Sequence, residues 1–382
     1  MEGNRHPGIA ETTDRQFFAL LRSGLWNEVP ERAPFDGGVD WEALYRLSFA
    51  QTVGPLVTDG VNRLPKEYLP AEPEHLDPFL GDMMATAQRN RVLDSFIPKV
   101  FHALRGIPVV LVKGQSLAQD YPDPERRQPG DIDLLLPPSS YAAAKEILLP
   151  KATHVSKEDV QTLHQGMHFY SVEVELHGSI STLMSRKLDR QLAALLKEQF
   201  DGRSLPTVTI GGAEIPVPEA NFNAVYIFVH FLQHYWSGGV GLRQFVDWTT
   251  FVSVHKRDIH PVILEQRLEE LGLLNLWKVF TGFAQEYLGC PAEKLPLATR
   301  PKPRKNARIW RYVRRCGNFG KNQDRKRKKE SYLVRKIHSL WRLVIADRLR
   351  HFPVFPKESI RFFFGAFGYG YKDLQKENER NA

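Results

Sequence analysis

Cysteine is almost missing from this 382-residue sequence: Cys290 and Cys316 are the only two, and neither sits in a CxxC or CxxH spacing. That excludes a disulfide-stapled scaffold, argues against a structural zinc ribbon and suits a reducing compartment. No apolar run approaches the roughly 18 residues needed to span a bilayer. Residues 1–16 lack the basic-then-apolar order of a secretory signal. A cytoplasmic protein is expected, with peripheral contact at a membrane left open. Internal repeats are absent too. Apolar residues at 42% and charged residues at 25% exclude a disordered or collagen-like chain. Acids are scarce in one place only. Residues 301–340 hold 15 Lys/Arg against two acids, whereas the remainder holds 37 against 42. A mildly acidic body with one strongly basic segment points to a polyanionic partner or an anionic membrane surface for that segment, residues 301–340.

The patterning divides the chain. Residues 16–64 carry apolar positions at helical spacing, through Phe17, Leu20 and Leu21 and then Trp41, Leu44, Tyr45 and Leu47. A proline-rich spacer follows, then a longer helix over about 78–104 whose polar face carries Gln88 to Arg91. At residues 107–112 the character changes to a short β-branched run, which suits a buried strand. Lys113-Gly-Gln-Ser116 turns it into a short helix. Residues 121–130 form a loop rich in proline and charge. Asp131 to Leu136 reads as a second strand, and Tyr141 to Leu149 as a helix capped by Ser139 or Ser140. His164 and His168 fall in a loop. Tyr170 to His177 alternates strictly, as a strand with two unlike faces does, and residues 208–217 read as a hairpin about Gly211-Gly212. Helices dominate from 219 to 288. The expected fold class is α+β: a helical region over 1–100, a mixed-sheet core over 101–218, a helical region over 219–300, and a basic, aromatic-rich segment over 301–382.

The sharpest signal is Asp131-Ile132-Asp133. Period-2 geometry puts both aspartates on one face, with Ile132, Leu134 and Leu136 on the other. Two carboxylates about 7 Å apart on one strand face repel unless a cation lies between them. A divalent ion, most naturally Mg²⁺, gives a physical reason to keep both. An exposed strand end that happens to carry two acids would look the same in the tripeptide alone. A third carboxylate is available. Glu173, Glu175 and His177 alternate with Val172, Val174 and Leu176, as in a strand that lines a site. Upstream, Lys113-Gly-Gln-Ser116 follows a strand directly, so Gly114 lets a phosphate approach the backbone and Lys113 adds a charge. The spacing is not that of a Walker A loop, so a P-loop ATPase is not supported.

Taken together, Val109 to Ser116, Tyr121-Pro122, Arg127 to Leu136 and Val174 to His177 resemble a bacterial nucleotidyltransferase family of the DNA polymerase β-like superfamily, one often found in polysaccharide biosynthesis loci. His230, His234, Arg243 and Asp247 look like that family's helical segment, and the likeness spans about residues 40–260. The resemblance implies an enzyme that transfers a nucleoside monophosphate from an NTP to an acceptor hydroxyl or phosphate, with pyrophosphate leaving. Asp131 and Asp133 would ligate two Mg²⁺ ions, with Mn²⁺ as an alternative. Glu175 would ligate the catalytic ion and help activate the acceptor. Lys113, Gly114, Gln115, Ser116 and Arg127 would bind the nucleotide, and His177 and Glu173 would support the ligands from the same face. Two positions depart from the pattern. The usual Gly-Ser turn appears as Gly114-Gln115-Ser116, and Gly178 replaces an aromatic after the histidine.

Other residues have plainer readings. Arg127 either reaches phosphate or pairs with Glu125. His230 and His234, spaced i, i+4, lack the glutamate of a zinc-protease motif and read as packing or hydrogen-bonding residues. Arg243 and Asp247 form an intrahelical pair or tie their helix to the core. The basic segment, with Trp310, Tyr312 and Phe319 nearby, either packs on the body or holds an anionic surface or nucleic acid. Two other functions fit part of the pattern: an inactive scaffold that binds through its basic tail, and a toxin-type transferase that modifies tRNA or protein. The acceptor is unknown from sequence.

Overall fold

Strand pairing brings the three candidate carboxylates together. In the computed structural model, which describes residues 9–182, 184–202, 204–236, 239–318 and 350–363, five strands form one mixed sheet. They are β1 (Val110–Val112), β2 (Ile132–Leu135), β3 (His154–Val155), β4 (His164–Phe169) and β5 (Val172–His177), ordered β1-β2-β5-β4-β3. β1 runs antiparallel to β2, and β2 runs parallel to β5 with Asp133 beside Glu175. In-register neighbours share a face, so this one parallel pairing aligns the acidic faces of two strands far apart in sequence. The expected α+β class is the observed one.

One face of the sheet is apolar apart from buried Gln165 on β4. Ile132, Leu134 and Leu136 pack with Val174, Leu176 and Leu111 in a single core. Two helices cover it, α4 (Asp77–Ala103) through Leu93, Ile97 and Val100, and α6 (Pro138–Leu148) through Tyr141, Ala144 and Leu148. Pro137, not Ser139 or Ser140, stands at the N-cap of α6, and no side chain caps it. Pro138 at the first helical position makes that cap dispensable, because its missing N–H is one the helix leaves unpaired anyway. A hairpin of β6 (Thr207–Ile210) and β7 (Ala213–Pro216) closes the core through Ile210 and Ile215. Pro98 lies inside α4 and cannot donate to the Asp94 carbonyl. Gly211, at φ +58°, packs against that carbonyl; a Cβ there would lie 2.2 Å from the oxygen.

The opposite face is divided. Val110, Val112 and Leu135 pack under Phe222 and Tyr226 of α8 (Ala220–Trp236) and Leu196 of α7 (Arg186–Gln199). Beyond them the acidic positions of β2 and β5 face a cleft. α8 is apolar nearly all round because it is buried on two sides. Tyr226, His230 and His234, at i, i+4 and i+8, face the cleft, while Phe228, Phe231 and Tyr235 enter a large helical core. The N-terminal helices α1 (Ile9–Trp26), α2 (Trp41–Ala50) and α3 (Gly54–Asn62) share that core with α9 (Leu242–Val254), α10 (Pro261–Leu271) and α11 (Leu274–Leu288). Helices before and after the sheet therefore bury one another.

Part of the basic tail joins this core. α12 (Pro303–Cys316) buries Ile309, Trp310, Tyr312, Val313 and Cys316, and Phe355 and Phe362 are fully buried beside Trp236. The packed alternative therefore holds for these two stretches. The run Lys321 to Lys329, Phe319 and Trp341 lie outside the described residues.

Between α3 and α4, Asp82 offers a test of burial. Its Oδ2 has no hydrogen-bond partner, and burial pushes the carboxyl up to about 6. The unfolded carboxyl ionises near its ordinary value of 3.8, so between about pH 4 and 6 the folded state binds more protons. Stability then falls as pH rises through that window and levels off above it. Asp82→Asn should flatten that decline and raise the melting temperature at pH 7, as read from thermal unfolding at intervals from pH 4 to 7.

Candidate active site

Four pins fix the loop that delivers Asp131. Buried Asn90 of α4 donates to the carbonyls of Glu125 and Arg127, both at 3.0 Å. Arg126 pairs with Asp59 of α3 at 2.9 Å. Arg243 donates to the Gln128 carbonyl at 2.8 Å. Arg127 forms a two-bonded pair with Asp247 of α9 at 2.8 and 2.9 Å, and the Tyr121 hydroxyl donates to the same carboxylate at 2.7 Å. Arg127 therefore does not pair with Glu125, which is held by Arg91 at 2.7 Å. Nor do Arg243 and Asp247 form an intrahelical pair; both reach across to the core. Arg127 meets a carboxylate 120 residues away with both bonds of its planar guanidinium fork.

The pinned loop and the sheet enclose a cleft of about 460 Å³. Oxygens of Asp131, Asp133 and Glu175 lie within 4.8 Å of one another at its floor. Asp133 is buried and bonded to Lys113 Nζ at 2.5 Å and His177 Nε2 at 2.7 Å. Burial alone would raise its pKa, but Lys113 and His177 outweigh it and hold the carboxyl below the usual range. Glu175 follows the same logic: burial opposes ionisation, and His164 and His177 more than offset it. Asp131 behaves oppositely. The Asp133 charge, then burial and Glu175, push its pKa up, because no cation faces it directly.

Lys113 stands at the turn from β1 into α5 (Gly114–Ala118) with φ +55° and ψ −154°, a conformation that costs a non-glycine residue of order 1–3 kcal/mol. The strain aims its ammonium at Asp133. Burial disfavours that charge, yet Asp133 and its neighbours raise the Lys113 pKa. Gly114 lines the cleft. Gln115 and Ser116 do not: Gln115 donates to Asp94 at 2.7 Å, and the Ser116 hydroxyl to the Lys113 carbonyl at 2.7 Å. Glu173 lies one step further along β5, 3.5 Å from His168. At Gly178 a Cβ would meet Leu163 at 2.8 Å and Tyr141 at 2.9 Å, so the aromatic of the family pattern has no room.

The cleft's other wall is cationic. Arg127 is buried, its pKa raised by Asp247 against the effect of burial, and its Nη1 has no hydrogen-bond partner among the described residues. Arg243 Nε is likewise buried and unpartnered, and both residues line the cleft. His230 Nε2 lies 3.3 Å from Lys113 Nζ and 3.2 Å from His234 Nε2. Burial and then Lys113 hold His230 neutral, and His234 is pushed down to about 4. Both therefore line the cleft; the hydrogen-bonding half of their packing-or-hydrogen-bonding reading holds, and their place beside the carboxylates went unread. Their signal was a polar stripe, with Tyr226, on an otherwise apolar helix.

His164 is the other residue the sequence hid. It lies on β4, not in a loop, directly across from His177. His168 is on the same strand across from Glu173. His164-Gln-Gly-Met-His-Phe169 has no β-branched residue, so nothing local marked it as a strand.

A model of the family described as "Uncharacterised nucleotidyltransferase" matches residues 37–289. No curated protein and no solved structure matches the chain. The matched span holds every residue of the cleft described above and well over half of the sequence, and the chain belongs to this uncharacterised nucleotidyltransferase family.

Proposed function

We propose that the chain transfers a nucleoside monophosphate from an NTP to an acceptor hydroxyl or phosphate, with release of pyrophosphate. One observation carries this reading. A floor of three converging carboxylates faces two buried guanidinium nitrogens, Arg127 Nη1 and Arg243 Nε, that have no hydrogen-bond partner among the described residues, in one cleft. Unpaired buried donors are costly unless an anion arrives to take them. Converging buried carboxylates are costly unless a cation does. A triphosphate with its divalent ion satisfies both sets together.

The donors at the floor are all oxygen, which fits Mg²⁺, with Mn²⁺ as the alternative ion. Asp131, Asp133 and Glu175 would hold it. Bound there, such an ion would neutralise phosphate charge and favour in-line displacement. The chain's own residues orient and enclose. Arg127 Nη1 and Arg243 Nε would receive phosphate oxygens, and Gly114 would let the triphosphate approach the backbone. Lys113 and His177 keep Asp133 ionised, and the Asp247 pair fixes Arg127. Neutral His230 and His234 can donate to a phosphate or share a proton with one. Thermal unfolding with each of the four NTPs, with and without Mg²⁺, tests the proposal. At least one NTP should stabilise only with Mg²⁺, by about 2.7 kcal/mol at 100 times its dissociation constant. No stabilisation by any of the four would contradict it.

The basic segment is proposed to hold a polyanionic surface near this cleft, either anionic lipid or nucleic acid. Arg304, Arg308, Arg311 and Arg315 follow one another at helical spacing along the exposed side of α12, and none forms an ion pair with a described residue. The same helix leads to Asn318, which accepts a hydrogen bond from the cleft residue Gln244 at 3.2 Å. Changing all four arginines to glutamine should weaken binding to anionic vesicles by about 1 kcal/mol per residue, or flatten the salt dependence of RNA binding. Mg-NTP stabilisation should persist. Unchanged binding to both probes would remove the helix from this role.

A further inference from the structure

The oxygen-only floor has a neighbour of different chemistry. His164 and His177 stand across from each other on β4 and β5, their rings stacked at 4.7 Å and 19°. Both direct Nε2 at one oxygen: Glu175 Oε2 is 3.2 Å from His164 and 3.3 Å from His177. The three ligand atoms lie within 4.8 Å of one another. His164 Nε2 is buried, and despite its short distance to Glu175 it makes no aligned hydrogen bond. A buried imidazole nitrogen without an aligned partner among the described residues, beside a carboxylate oxygen, is able to ligate a cation.

We propose that His164, His177 and Glu175 form a second metal site, selective for a borderline divalent transition ion of the Zn²⁺ or Co²⁺ class. Two nitrogens and one oxygen suit such ions, whereas Mg²⁺ prefers oxygen and keeps its waters. Strand register builds the site. His164 is a direct cross-strand neighbour of His177, and Glu175 is two residues from His177 on the same face. Gly166, opposite Glu175, adds no side chain over the carboxylate. The site shares Glu175 with the Asp131–Asp133–Glu175 floor and needs His177 Nε2 to exchange its 2.7 Å bond to Asp133 for the ion, and so rests on the nucleotidyl-transfer reading through these two residues.

Calorimetric titration of Zn²⁺ into the chelator-treated full-length protein, in excess Mg²⁺, tests the site directly. Excess Mg²⁺ occupies the oxygen floor and leaves the mixed-donor position to Zn²⁺. Wild type should bind one Zn²⁺ at this site. His164→Gln and His177→Gln should each weaken that binding more than about 10-fold. His168→Gln, on the same strand but paired with Glu173, should not. Co²⁺ in place of Zn²⁺ should give ligand-field absorption that His164→Gln abolishes. Absence of Zn²⁺ binding in wild type, or binding that both glutamine variants leave intact, would overturn the site. Zn²⁺ binding lost in His164→Gln, in a protein no NTP stabilises, would uphold the site and reject the transferase reading instead.

Discussion

Asp131→Asn and Asp133→Asn are expected to fail alike in nucleotide binding and to differ in stability. Each removes an oxygen donor from the floor of the cleft. Even outer partners of a metal site are worth about 10–100-fold, so loss of either carboxylate should reduce Mg-dependent NTP affinity by more than about 100-fold. Their environments differ, however. The Asp131 carboxyl is pushed up by Asp133, burial and Glu175. Making it neutral relieves that repulsion, so metal-free Asp131→Asn should melt at or above the wild-type temperature. Asp133 is the counter-charge of buried Lys113 and the partner of His177. Removing it strands an ammonium in the interior, at a cost of about 3–5 kcal/mol. Thermal unfolding without metal, alongside NTP titration with Mg²⁺, reads both quantities. Equal melting temperatures for the two variants would contradict the assigned ion pairs.

Asp247→Ala is expected to be among the most destabilising single changes in the chain. Asp247 accepts two bonds from Arg127 and one from Tyr121, all in the interior. Its loss leaves a buried guanidinium unpaired, again about 3–5 kcal/mol. The double change Arg127→Met with Asp247→Leu removes both charges and should recover much of that stability. It should not recover nucleotide binding, because Arg127 Nη1 is then absent from the wall of the cleft. Chemical denaturation gives the stability terms and thermal shift with Mg-NTP gives the binding term. A stable double variant that binds NTP like wild type would restrict Arg127 to holding α9 against the core.

What could be read from the sequence was local. The β-branched runs ending at Val112 and Leu136, and the alternation from Val172 to His177, marked three strands because each pattern lies within one element. The acidic faces of β2 and β5 followed from the same period, which left Glu173 and Glu175 both available; the family resemblance singled out Glu175 to stand with Asp131 and Asp133. Their parallel register joins elements 42 residues apart, Asp133 beside Glu175, and no local pattern specifies it. β4 escaped because it holds no β-branched residue and Gln165 interrupts the apolar face of Met167 and Phe169. The Arg127–Asp247 pair escaped because Arg243 offered Asp247 a nearer partner. The shared core of the N-terminal and C-terminal helices is non-local throughout, as is the packing of Trp310 against Phe17 and Phe18. For the tail, the aromatic content had left packing and surface binding both open. The structure assigns packing to the inner side of α12 and exposure to Arg304, Arg308, Arg311 and Arg315.

The most direct measurement of the central assignment is anomalous diffraction from crystals of the full-length protein grown with Mn²⁺ and a non-hydrolysable NTP analogue. Manganese should be found among the carboxylates of Asp131, Asp133 and Glu175, with the triphosphate extending toward Arg127 Nη1 and Arg243. Manganese and nucleotide bound together anywhere else, with the three carboxylates still held only by Lys113 and the histidines, would contradict it.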